Sequence, residues 1–383
     1  MIIPTLLAMM TIQPNPSQLT SEVDPRRLKA TVTKLASFPT RNTNTKGLTA
    51  ACNWIADEFR AIPGMEVETM TYPVKASRRI TKDANVVQVI ATLPGRSDRR
   101  IIVGGHIDTI NMKDPGDEPP APGANDDASG VALTLELARL AAKHQWNQTL
   151  VFVAFSGEEQ GLLGSDALAR RCKEQGLEID AVLSNDTVGS SSNLAGQKDT
   201  ERVRVFSEEG VGHNSRELAR IIAFIGKRDL KGFGCKLVFR KDRFGRGGDH
   251  SSFVAQGFTA VRFVEVFEEF SRQHTREDLP QYMDFAYLAN VTRLNGAVLA
   301  SLGNAAPPPQ NVVVVRDQSQ DTTLRWTSGP NVGSTIYWRE TTSPEWQGHV
   351  DVGAVNTFTV KGVNKDDHVF AVGSVGGIPV EAK

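Results

Sequence analysis

Cysteine is scarce in this 383-residue chain: Cys52, Cys172 and Cys235 stand far apart, with no C-x-x-C pair. Three scattered thiols define neither a disulfide framework nor a thiolate metal site, and at most one bridge within the chain is open to them. Neither sign of charge is in excess. Lys and Arg total 43 against 44 Asp and Glu, a formal net charge of −1, and no basic run or aromatic-interleaved basic patch occurs. That composition argues against nucleic acid or an anionic membrane surface as a partner. A membrane-spanning run is missing as well. Met1 to Ile12 (MIIPTLLAMMTI) is the most apolar terminal stretch, and it is too short to cross a bilayer. It resembles the hydrophobic part of a secretory signal, without a basic leader or a small-x-small cleavage site. Residues 1–20 are therefore read as an export signal, with a disordered or partly packed amino terminus as the alternative. The first reading implies a secreted or periplasmic protein; the second leaves the cytoplasm open.

What is present is ordinary globular material, 40% hydrophobic and 23% charged, enough for a large α/β domain with a small module beside it. The chain is organised around Leu150 to Gly161, LVFVAFSGEEQG. A continuous run rich in Val and Phe predicts a strand buried on both faces of a parallel sheet. Gly157 then turns the chain, and Glu158 and Glu159 fall at the strand's carboxyl end, where open α/β sheets keep their ligands. Two neighbouring carboxylates in one crevice need a compensating cation or a shared proton. A solvated first turn of a helix would explain them equally well in isolation.

Taken in order, apolar periodicity predicts helices over 25–36 and 45–62, strands over 67–72, 85–93 and 99–108, and a helix over 131–143. A helix over 162–174, strands over 179–183 and 203–207, a helix over 214–227, and strands over 236–239 and 258–267 follow. A helix over 283–302 closes the series. The Pro- and Gly-rich stretch Asn111 to Gly123 reads as a surface loop. The expected fold is an α/β domain over 21–304 with a mixed, mostly parallel central sheet flanked by helices. Residues 305–310, with three consecutive prolines, are a linker. Beyond it the period changes to two, and short strands over 312–316, 322–327, 334–340, 357–360 and 368–374 predict a small all-β sandwich over 311–383. Its Leu324-x-Trp326, Tyr337-x-Arg339 and Phe370-Ala371-Val372 resemble a fibronectin type III module. Such a module implies a binding role of its own, toward substrate, a surface or a neighbouring domain.

Four stretches that can carry chemistry sit past apolar strands or at a loop-to-helix junction: His106-Ile107-Asp108, Asn125-Asp126-Asp127, Glu158-Glu159 and Asn185-Asp186. All offer oxygen or nitrogen ligands and none a thiolate, which suits Zn²⁺ or a similar divalent ion and excludes cysteine-rich structural zinc. Five or six such groups are enough for a pair of ions sharing a bridging carboxylate.

GGHIDT, GANDDASG, FSGEEQGLLGS, SNDTVG and HTRED, in that order, resemble the motif series of the M28 family of metallopeptidases, over roughly Leu28 to Leu302. The resemblance implies a zinc-dependent exopeptidase with two zinc ions, acting on peptides through a two-metal-activated water. It implies His106 on one ion, Asp126 bridging both with a cis Asp126–Asp127 peptide, Glu159 and Asp186 each completing one ion's set, and Glu158 as general base. For the fifth ligand the family pattern favours His274 of the H-T-x-x-D stretch, with Asp278 behind it, over His250 of the Asp249-His250 pair. His250 then lines the pocket or orders its loop. Asp108 is expected to orient the His106 imidazole. Asp249, His250, Glu265 and Arg246 are candidate substrate-binding residues, Glu265 for a free α-ammonium and Arg246, with Arg243, for a carboxylate. An aminopeptidase is the first expectation. A carboxypeptidase or dipeptidase, a glutaminyl cyclase-like acyltransferase and a non-catalytic binding protein of the same fold are the alternatives.

Overall fold

A computed structural model describes residues 16–383 apart from Arg78, Thr81, Asp117, Glu209 and Val211. The export-signal stretch Met1 to Ile12 lies outside the described residues. Residues 16–20 of that region do not stand apart from the domain, because Pro16–Ser21 is helical and Leu19 is buried in the main core.

Eight strands form the central sheet: β1 Glu66–Val74, β2 Ala84–Leu93, β3 Ser97–His106, β4 Gln148–Phe155, β5 Ile179–Asn185, β6 Arg202–Phe206, β7 Gly234–Val238 and β8 Ala260–Glu265. Their order is β1-β2-β4-β3-β5-β8-β6-β7. β4, β3, β5 and β8 run parallel to one another, whereas β1, β2 and the β6–β7 pair are joined to this centre through antiparallel ladders. The sheet is thus mixed, with a parallel centre, as the sequence predicts. The chain passes from β3 to β4 on one side and from β4 to β5 on the other side of β3. Loops that diverge in this way open a crevice at the strands' carboxyl ends.

β4 explains its own composition. Leu150, Phe152 and Ala154 enter the core under helices Pro25–Ala36, Lys46–Arg60, Ala128–Ala141 and Phe285–Leu302, while Val151, Val153 and Phe155 enter the core under Leu163–Glu174 and His250–Ala255. A strand covered on both faces has no polar positions to spare, and each large side chain so buried is worth roughly 1.5–3 kcal/mol. Helix starts follow local capping chemistry. Asp24 accepts from Arg26 N at 2.8 Å, Thr45 from Leu48 N at 3.3 Å, and Asp284 from Tyr287 N at 3.0 Å.

The carboxyl-terminal strands form two antiparallel sheets, of three and four strands, around Leu324, Trp326, Ile336, Phe370 and Val372. Two of the strands, Gly348–Gly353 and Val380–Glu381, are additional to those the periodicity predicts. The first is an edge strand alternating between half-buried and exposed positions, bounded by its own glycines; the second is two residues long. The sandwich rests on helix Ser215–Asp229, where Phe224 packs edge-on against Tyr337 at 5.3 Å and His349 at 4.9 Å. All three cysteines are free.

Candidate metal centre and its cleft

Every side chain in the proposed ligand set hangs from the carboxyl edge of the parallel strands or from a loop pinned to that edge. His106 ends β3, Glu158 and Glu159 follow β4, and Asp186 follows β5. Gly157 makes the turn out of β4 at φ +75°, a conformation glycine adopts without cost. Asp126 precedes helix Ala128–Ala141, and the Asp126–Asp127 peptide is cis. The first turn of that helix lies so close to the strands that a Cβ on Gly130 would meet Asn185 O at 2.1 Å.

Five residues converge, His274 among them. His106 Nε2 is 3.0 Å from Asp126 Oδ1 and 3.6 Å from Asp186 Oδ1. On the other side of the same carboxylate, His274 Nε2 is 3.1 Å from Asp126 Oδ2 and 3.1 Å from Glu159 Oε2. Two triads result, His106–Asp126–Asp186 and Asp126–Glu159–His274, each with its donor atoms within 4.8 Å of one another. Asp126 belongs to both, one oxygen to each. Glu159 Oε1 is buried with no hydrogen-bond partner, and a buried carboxylate oxygen left this way is unfavourable unless a cation or donor meets it. The donor set, two imidazoles and three carboxylates, therefore fits divalent metal. Glu158 borders the same cleft and is in neither triad. Burial, and then the neighbouring carboxylates of Asp186, Glu159 and Asp249, hold its proton affinity well above that of a free glutamate.

Three buried aspartates hold the backbones that carry these ligands. Asp127 accepts from His106 N at 3.0 Å, from Gly130 N at 2.8 Å and from Thr187 N at 3.2 Å, tying β3, the helix start and β5 together. Asp278 accepts from Asn125 N and Asp126 N, both at 2.9 Å. It supports the bridging aspartate rather than the His274 ring behind which the motif spacing puts it. Asp108 departs from expectation similarly. His106 Nδ1 is 3.1 Å from the Asp108 backbone oxygen and 3.7 Å from its carboxylate, which instead accepts from Glu158 N and Glu159 N at 3.2 Å each. The carbonyl orients the imidazole, and the carboxylate fixes the turn bearing the two glutamates.

Three candidate substrate residues do not reach the cleft. Glu265 is fully buried, with its oxygens taken by Asn125 Nδ2 at 3.0 Å and Ser190 N at 2.7 Å, so it cannot hold a substrate ammonium. His250 is buried and its Nε2 pairs with Lys241 O at 2.7 Å, ordering the loop. Asp249 is buried behind the wall, where desolvation pushes its carboxyl up to about 7. Arg246 does border the cleft.

Sequence reasoning missed Arg262. It lies fully buried in β8, pairs with Asp186, and reaches Asp242 Oδ2 at 2.8 Å. An arginine inside AVRFVE was the available signal, since a buried strand admits such a charge only with partners. Arg41 was missed too. Fully buried, it donates to Ile107 O at 2.7 Å and Gly123 O at 3.0 Å and clamps the loop that carries Asp126. Backbone strain marks the same place. Among the described residues five non-glycines have left-handed φ, and three of them, Leu162, Thr187 and His274, stand at or beside the cleft.

Imidazoles and carboxylates gathered at the carboxyl ends of parallel strands define the class: a protein built to use divalent metal. The model of peptidase family M28 matches residues 88–299. A probable zinc metalloprotease of Pyricularia oryzae is 38% identical over 93% of this chain and 80% of its own length. Another, of Leptosphaeria maculans, is 34% identical over 95% of this chain and 96% of its own. The chain belongs to peptidase family M28. Among solved structures, a leucine aminopeptidase precursor of Bacteroides thetaiotaomicron superposes with a TM-score of 0.60 at 19% identity, covering 76% of this chain and 99% of that one. A glutaminyl cyclase of the same organism does so with a TM-score of 0.58 at 20% identity, covering 73% and 98%. At those identities the two share the fold.

Proposed function

We propose that this chain is a zinc-dependent aminopeptidase holding two zinc ions, one at His106–Asp126–Asp186 and one at Asp126–Glu159–His274. The observation that carries the reading is the sharing of Asp126 between two triads, with Glu158 left over beside them. Zinc bound there would acidify water and polarise a scissile carbonyl. Glu158 accepts the attacking water's proton and returns it to the leaving amine, a role that suits a carboxylate whose proton affinity is already raised. Asp108 keeps Glu158 and Glu159 apart in function by holding the backbone of each, so that one stays a base and the other a ligand.

For amino-terminal recognition the support is a narrow recess beyond Asp126, bordered by Glu269, a half-buried carboxylate that Leu194 N and Ser271 hold in place and that, unlike Glu265, is not closed off from the recess. The relatives' description as zinc metalloproteases supports the choice of metal. A cyclase-like chemistry with a single ion is less well supported, because His106 and Asp186 would have no task. We also propose the division into a peptidase domain over 21–304 and a carboxyl-terminal module over 311–383. The three-plus-four arrangement of strands supports a fibronectin type III-like reading of that module. The test is a panel of aminoacyl and amino-terminally blocked peptide amides with the zinc-loaded protein. Cleavage that requires a free amino terminus is expected; cleavage of blocked substrates alone overturns the aminopeptidase reading.

A further inference from the structure

The cleft of about 360 Å³ that opens on Asp126, Glu158, Glu159, Asp186 and His274 is within the range of small-ligand sites. Four arginines, Arg79, Arg243, Arg246 and Arg262, line the same cleft. The four are not equivalent. Arg262 is neutralised by Asp186 and Asp242, and Arg243 by Asp242 and Glu268. Arg79 and Arg246 make no ion pair among the described residues. Arg79 Nη1 donates to the backbone oxygen of Glu159 at 2.5 Å. Arg246 Nη1 donates to Gln273 Oε1 at 3.2 Å, and its guanidinium lies 5.9 Å from the centre of the Phe270 ring.

Resting on the peptidase reading of this site, we propose that Arg79 and Arg246 bind a carboxylate of the substrate. Each guanidinium has five donors and uses one of them on a protein oxygen. A planar fork with free N–H groups matches a carboxylate with two parallel hydrogen bonds, which neutral side chains match poorly. Both cations share the cleft with the carboxylates of the ligand set, Arg79 beside Glu159 through its bond to that residue's backbone oxygen and Arg246 beside Asp126 through Gln273. Gln273 links Arg246 to the ligand set: its Oε1 accepts from Arg246 while its Nε2 donates to Asp126 Oδ2 at 2.6 Å. The carboxylate has two sources, an acidic side chain on the amino-terminal residue or the free carboxyl terminus of a dipeptide.

The test compares kcat/KM for the glutamyl and glutaminyl anilides, and for Leu-Gly and its amide, in the wild-type protein, Arg246→Met and Arg79→Met. The wild type is expected to favour the charged member of at least one pair by tenfold or more. Each substitution is expected to move that ratio toward one. A glutamyl advantage assigns the side-chain source, and a Leu-Gly advantage the terminal one. Ratios near one in both wild-type pairs, with the neutral members turned over, overturn this assignment and leave the aminopeptidase reading standing. No turnover of any free-amino substrate overturns the aminopeptidase reading instead. Calorimetric binding of the same four compounds to the zinc-loaded protein then decides, equal affinities within each pair overturning the arginine assignment.

Discussion

The carboxyl edge of the central sheet and the carboxyl-terminal sandwich are both made of strands and tight loops, yet they obey local rules to different degrees. Among the described non-glycine residues, the left-handed positions in the sandwich are Asn311 and Asn331, a residue type that tolerates that conformation. At the cleft they are Leu162, Thr187 and His274; leucine seldom adopts that conformation, and a β-branched threonine there is a genuine outlier. The sandwich interior is Val, Leu, Trp, Ile and Phe. The sheet edge buries Asp108, Asp127, Asp186, Glu265, Asp278 and Arg262. Strain and buried charge persist where the surroundings over-determine them, and here they coincide around a single cleft.

Substitutions of graded severity sharpen that contrast. Glu158→Gln has the largest expected effect, a fall in kcat of roughly 10²–10⁴-fold with zinc content by elemental analysis unchanged. Loss of zinc instead would mean that Glu158 and Glu159 have exchanged roles. Acidification is the next lever. Although burial opposes it, hydrogen bonds to Asp126 and Glu159 push the metal-free His274 imidazole up to about 10, and Asp186 and Asp126 likewise raise that of His106. Zinc must displace those protons, so its affinity rises with pH, by up to about tenfold per unit for each proton released. Titrations at pH 5.5 and 7.5 that give equal affinity would break the link between the two triads and metal.

On the other side of the comparison, Leu324→Ala empties part of the sandwich core and should destabilise it by about 2–5 kcal/mol, seen in chemical denaturation, with zinc content retained. A matching loss of zinc would show that the two regions fold as one. Lys361→Ala removes an exposed pair with Asp321 and should leave the denaturation midpoint unmoved, because solvent screens a pair so exposed.

Elements whose side chains face two ways were legible in the sequence. Helix Pro25–Ala36 was bounded by its own periodicity, and β4 by an apolar run that burial on both faces requires. Pro16–Ser21 and His250–Ala255 were not legible, because six residues give too little period to read and both are held by tertiary packing. At the site, residue type and position marked the stretches that hold His106, Asp126, Glu158, Glu159 and Asp186, while the choice of Asp126 over Asp127 and of Glu158 as base came from the family resemblance. Choosing His274 over His250 needed the family resemblance, since either could have been a ligand by chemistry alone. The supports were harder. Asp108 could be placed near the site, but not its exchange of carboxylate for carbonyl toward His106. Asp127 caps its own helix by accepting from Gly130 N, a local role. Its hold on β3 and β5 depends on strands brought together from 60 residues away in sequence, as its bond to Thr187 spans. Glu265 failed as a substrate residue because an acidic side chain at a strand's end was taken to face the cleft, whereas Asn125 and Ser190 enclose it.

The central claim is that one aspartate serves two metal sites, and the metal-to-chain ratio of the purified wild type and of Asp126→Ala tests it most directly. A ratio near two that falls close to zero in Asp126→Ala, with the circular dichroism of the fold retained, is the predicted result. A wild-type ratio near one that survives the substitution would contradict it.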